Sequence, residues 1–151
     1  MKFAYSQRVT TLRIWLTVFL TALAADLLTK QWVVAHRNVL VVFNNRSSQM
    51  PFRLFMCVVA ILVAWGLTRL AAMRGFGRQW GLWVGCSLLV AGVLGNGISS
   101  LLWTRGIPDF INVGGGWFWN LADFEIAIGM SGGLLSVAFS AFVLYGREKT
   151  A

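Results

Sequence analysis

Residues 80–103 read WGLWVGCSLLVAGVLGNGISSLLW, a stretch without a single charged side chain. It is long enough to cross the hydrocarbon core of a bilayer as a helix, which takes about 20 residues. Three more blocks of that kind flank it, near residues 12–33, 54–72 and 124–145. Lipid offers no partner for a free backbone N–H or C=O, so a spanning segment is a helix or part of a closed barrel. Period-two alternation is absent within the blocks, which argues against a barrel. The expectation is one all-α membrane domain over residues 1–151, with four transmembrane helices.

Composition agrees. The chain is 58% hydrophobic and 12% charged, with mean hydropathy +0.70. A soluble domain carries about 25% charged residues. The net charge of +8 does not imply nucleic acid. The basic residues sit at the ends of apolar blocks and form no patch with aromatic platforms. Eight Trp and two Tyr suit the headgroup level. The first block is too long for the core of a cleaved signal and lacks a small-x-small site, so it reads as a retained span.

The basic residues also predict orientation. Lys2, Arg8, Arg13, Arg69, Arg74, Arg78, Arg147 and Lys149 fall on one side; Lys30, Arg37, Arg46, Arg53 and Arg105 fall on the other. Eight against five puts both termini in the cytoplasm. Two loops then face outward. One, about 35–52, carries a strand-like run at Val39–Phe43, ended by Asn44-Asn45. The other, about 104–123, carries Gly114–Gly116 and Trp117-Phe-Trp119. The expectation is a small β-like periplasmic platform, with the Trp-Phe-Trp run on the membrane surface.

Cys57 and Cys86 lie in different spans. Roughly 15 Å should separate their depths at a rise of about 1.5 Å per residue, too far for a disulfide. Two Cys and one His make no zinc pattern. His36 has no evident acid or nucleophile beside it and reads as an interfacial residue.

The chemistry has to lie with the five acids, Asp26, Asp109, Asp123, Glu125 and Glu148. Glu148 is in the expected cytoplasmic tail. The other four map to the outer side, and an ionisable group at membrane depth is a functional candidate by default. Asp26 and Lys30 share a helix face. They form either an ion pair whose Lys reaches up to the interface or a brace behind a polar centre. Asn96 follows Gly92 and Gly95, small residues that let helices approach. It is either glue between helices or part of that centre, and Ser99 and Ser100 continue its polar stripe. Asp109 and Asp123 bracket the second outer loop. If the loop folds back, two carboxyls in contact share one proton, which suits general acid–base hydrolysis. Two separate interfacial acids remain the alternative.

Several blocks, in order, resemble the lipoprotein signal peptidase (signal peptidase II) family. Asn120-Leu-Ala-Asp123 followed by Ile126-Ala-Ile-Gly129 is similar to its Asn-x-Ala-Asp block, and Asp109-Phe110 after Pro108 to its other aspartate block. Gly95-Asn96 resembles its Gly-Asn block, and Asp26-Leu-Leu-Thr-Lys30 its Asp-x-x-Thr-Lys block. The resemblance runs from about residue 12 to 145. It implies an aspartyl endopeptidase that removes signal peptides from prolipoproteins carrying a diacylglyceryl-modified Cys. Asp109 and Asp123 would be the dyad. Asp26, Lys30, Asn96, Asn120 and Ala122 would support it, and Asn44 or Asn45 would line the substrate path. No metal or other cofactor is implied. The implied partners are the prolipoprotein, membrane lipid and a globomycin-like inhibitor.

The chain departs from the family where Gly-Asn is normally continued by an Asp-Arg pair. Here the stretch runs Gly97-Ile-Ser99-Ser100. Arg105 is the candidate replacement for the missing cation. Loop one reads Asn44-Asn-Arg-Ser-Ser48, and Glu125 adds an acid two residues after Asp123. A second reading therefore keeps the fold and drops the reaction: a paralogue that binds lipidated peptides or lipids.

Overall fold

A computed structural model describes residues 2–36, 38–44, 50–73 and 80–148 of the chain. It contains four long helices, α1 (Lys2–Ala35), α2 (Met50–Met73), α3 (Trp80–Leu102) and α4 (Leu121–Glu148). All four are long and apolar enough to cross a membrane. Four short strands lie at one end of the bundle: β1 (Val42–Asn44), β2 (Ile107–Asp109), β3 (Ile111–Gly114) and β4 (Trp117–Trp119). An all-α membrane protein with a small β platform is thus what the chain forms.

Helix α3 is the axis of the bundle and packs against each of the other three. The reason lies in its small residues. Gly85, Cys86, Ser87, Ala91, Gly92, Gly95, Gly97 and Ser99 are all buried, and side chains of that size bring backbones close. At one close α3–α4 contact a methyl group on Gly129 would stand 2.5 Å from the Leu89 backbone nitrogen and 2.7 Å from the Gly85 carbonyl oxygen. Below the strands, Ala64, Leu82, Cys86 and Val90 form an apolar core, with Phe19, Leu67 and Leu94 packed on it. The outward faces carry Leu12, Leu16, Leu20, Ile61, Leu62, Leu134, Leu135 and Phe139, all exposed. Such a belt is compatible with lipid and not with water. Cys57 and Cys86 are both buried and free.

The strands make two antiparallel pairs. β1 pairs with β2, with Val42 opposite Asp109, Phe43 opposite Pro108 and Asn44 opposite Ile107. β3 pairs with β4 around Gly114, Gly115 and Gly116, whose φ values are 93°, 60° and 80°. Three consecutive left-handed residues are accessible to glycine alone at little cost, so the Gly run makes the hairpin. Trp117 is exposed, while Trp119 packs edge-on against Phe124 at 4.9 Å.

Two boundaries differ from the sequence expectation. The first strand begins at Val42 rather than Val39, because the Val39 N–H closes a turn onto the His36 carbonyl oxygen at 3.2 Å. Helix α4 begins at Leu121, three residues earlier than the hydropathy suggests, because Asn120 caps it.

Candidate active site

The cap on α4 organises the site. The Asn120 side-chain oxygen accepts the Asp123 N–H at 3.3 Å, and the Asp123 carboxylate accepts the Asn120 N–H at 2.9 Å through Oδ2. This is a reciprocal capping box, in which the first and fourth residues satisfy each other's free N–H. Once its oxygen is committed, the Asn120 amide has only N–H left to offer. It donates Nδ2 to Asp109 Oδ1 at 2.6 Å. One asparagine therefore holds both acids, through its main chain and its side chain.

Asp109 reaches this point on β2, all of whose residues are buried. It is 6% exposed, and burial pushes its carboxyl up to about 6. The nearby Asp123 charge pushes the same way, while the Asn120 hydrogen bond, the Lys30 charge and the Asn44 side chain pull it back.

A second line of polar groups reaches Asp123 from beneath. Lys30 and Asp26 are both 0% exposed and form an ion pair at 2.7 Å. Lys30 does not reach up to the interface. Its ammonium has three protons, and they go to Asp26 Oδ2, Asn96 Oδ1 at 2.9 Å and Ser99 Oγ at 3.0 Å. Lysine only donates, so it fixes the Asn96 amide with oxygen inward and nitrogen outward. Asn96 Nδ2 then donates to Asp123 Oδ1 at 2.9 Å. The other Asp26 oxygen accepts the Ala122 N–H at 2.9 Å. This N–H is one of the free donors of the first turn of α4, and a buried acid satisfies it. Gly95 is required here, since a methyl group at that position would stand 2.5 Å from Asp26 Oδ2.

The fold thus brings together Asp26, Lys30, Asn44, Asn96, Asn120, Ala122, Asp109 and Asp123. Asn45 lies outside the described residues. Arg105 does not take the place of the missing Asp-Arg cation; its guanidinium lies over the Phe43 ring at 4.2 Å. Glu125 is buried with its Cβ beside Gly92 of α3, and its Oε2 has no hydrogen-bond partner among the described residues. His36 stacks on Trp32 at 4.5 Å and its Nδ1 contacts the Trp32 carbonyl oxygen. No group of His, Cys, Asp and Glu among the described residues has the geometry of a metal site.

Sequence reasoning named Ser99 only as part of a stripe and missed its contact with Lys30. It also missed the capping box. Asn-x-x-Asp immediately before an apolar run was the available signal.

No curated protein sequence matches this chain. The fold is similar to that of a bacterial membrane enzyme determined by the in meso method at 1.9 Å resolution, with 20% identity and a TM-score of 0.60 over 82% of this chain and 91% of that one. A second bacterial membrane enzyme, determined by the same method at 2.3 Å, gives 22% identity and a TM-score of 0.54 over 87% and 89%. The model of the family described as signal peptidase (SPase) II matches residues 18–139. On that match, which reaches into all four spans and holds the whole polar network, the chain belongs to the signal peptidase II family.

Proposed function

We propose that this chain is an aspartyl endopeptidase that cleaves the signal peptide from diacylglyceryl-modified prolipoproteins, with Asp109 and Asp123 as its dyad. The observation that carries the reading is the double use of Asn120, which hydrogen-bonds to both acids. Both Asp123 oxygens accept N–H donors, from Asn96 and from the Asn120 main chain. That arrangement suits a charged carboxylate acting as base. Asp109, raised to about 6 chiefly by burial, suits the acid.

In the reaction, Asp123 takes a proton from water as the oxygen attacks the scissile carbonyl carbon. Asp109 gives its proton to the carbonyl oxygen. Collapse of the tetrahedral adduct breaks the C–N bond, and the amine of the lipidated Cys leaves with a proton returned by the dyad. No covalent enzyme intermediate is involved. Asp26, Lys30, Asn96 and Ala122 hold Asp123 in place, and Asn44 borders the substrate path.

The bias of basic residues toward the termini and the α2–α3 loop supports cytoplasmic termini and a dyad facing the periplasm. There the acyl chains stay in lipid while the scissile bond meets water. A globomycin-like peptide would compete with the prolipoprotein for the dyad.

The test uses the purified chain and a synthetic diacylglyceryl prolipopeptide. Cleavage should occur and should fall by about 10²–10⁴-fold in Asp109→Asn and Asp123→Asn, far more than any fall in the melting temperature in detergent accounts for. Binding of the peptide without cleavage by the unmutated chain would instead make this protein a lipopeptide binder.

A further inference from the structure

The serines at 99 and 100 stand where an Asp-Arg pair was expected. Ser99 is taken up by Lys30. Ser100 meets a cation from another helix. Arg53, in the first turn of α2, donates Nη1 to Ser100 Oγ at 2.8 Å and Nη2 to the Asn44 carbonyl oxygen at 3.4 Å. Ser100 Oγ in turn donates to the Asn96 carbonyl oxygen at 2.9 Å. The proton count closes, since the serine hydroxyl accepts once and donates once.

Arg53 therefore grips both arms of the candidate site. One arm is β1, where Asn44 pairs with Ile107 and Val42 pairs with Asp109. The other is α3, where Asn96 holds Asp123. We infer that Arg53 is a positioning residue that clamps β1 to α3 and thereby sets Asp109 against Asp123, doing from α2 what a cation on α3 itself would otherwise do. The inference rests on the proposed peptidase reading for its kinetic consequence, but not for the clamp. A guanidinium fits the task because its planar fork spans two acceptors with fixed geometry, which a lysine ammonium does not. A basic residue that merely marked the membrane boundary would point to water. Arg53 is half-buried and bridges two separate elements.

The experiment compares the full chain with Arg53→Met in detergent, following cleavage of the diacylglyceryl prolipopeptide and the titration of Asp109 by carboxyl carbon NMR. Arg53→Met should lower kcat by about 10–100-fold, the effect of a small misplacement of reacting groups, with KM little changed. The Asp109 midpoint should move down from about 6 as its cover loosens. Adding Ser100→Arg to Arg53→Met returns a cation to α3 and should restore most of kcat and the Asp109 midpoint. If Arg53→Met does not fold, Arg53→Lys tests the same point, because it keeps the charge and loses the fork. Unchanged kcat and unchanged Asp109 titration in Arg53→Met overturn the clamp. So does a loss of both that Ser100→Arg leaves unrepaired. If the unmutated chain cleaves nothing, the peptidase reading fails, and the Asp109 titration still decides the clamp.

Discussion

The two ends of the helix bundle are built on different principles. Away from the strands, α3 and α4 touch through Gly85 and Gly129, and Leu82, Cys86, Ala64 and Val90 fill the space with apolar groups. Near the strands, the same helices meet through Asn96, Asp123 and the Ala122 N–H, with Lys30 and Asp26 buried between them. The first end is held by shape, and its glycine contact at Gly85 and Gly129 leaves no room for a larger residue. The second is held by hydrogen bonds whose directions are set by one ammonium group. A polar cluster of this kind is costly when any member is missing, so its completeness points to a site and not to packing alone.

The sharpest way to break this contrast is Lys30→Met. It strands the Asp26 carboxylate with no cation at 0% exposure and frees the Asn96 amide to turn. Breaking a buried pair in this manner costs about 3–5 kcal/mol. Unfolding in mixed micelles should report that loss, and Asp26→Leu combined with Lys30→Met should be milder than Lys30→Met by itself.

At the apolar end, Gly129→Val inserts a side chain against the Leu89 and Gly85 backbones. Overpacking should cost about 1–3 kcal/mol. The fraction that remains folded should cleave at the normal rate, which separates stability at this end from chemistry at the other.

Asn120→Ala removes a helix cap, an effect on stability of about 1 kcal/mol. It also releases Asp109, so cleavage should fall far more than the melting temperature implies. A matched loss of both would place Asn120 among purely structural caps.

The smallest effect is a pH dependence. Asp109 sits at about 6 when folded, chiefly through burial, against an ordinary value of 3.8. The folded chain therefore holds this proton more tightly than the unfolded one. Its stabilisation is complete below the ordinary value and is lost as pH rises to about 6. Denaturation of wild type and Asp109→Asn at both ends of that window should differ in this sense, and cleavage should decline as pH rises through about 6.

Much of this was legible in the chain itself. Hydropathy located four spans to within a few residues, because the demand of lipid on a backbone is local and continuous. The scarcity of acids drew attention to Asp26, Asp109 and Asp123 before any geometry was known. The spacing of small residues singled out Asn96, and the motif resemblance added Asn120 and Ala122. What local patterns did not disclose was direction. They left Lys30 free to reach the interface, offered Arg105 only as a candidate for the replacement cation, and did not choose between Asn44 and Asn45.

The amino-acid order by itself determined the number of membrane spans, the end of the bundle where polar groups gather and the small residues that let α3 become its axis. Only the tertiary structure decided that Lys30 bonds to Ser99 across 69 positions and Asp26 to Ala122 across 96. Spacing along one helix reports which residues share a face. Which face meets which neighbour, and so which donor finds which acceptor, depends on packing between helices distant in sequence.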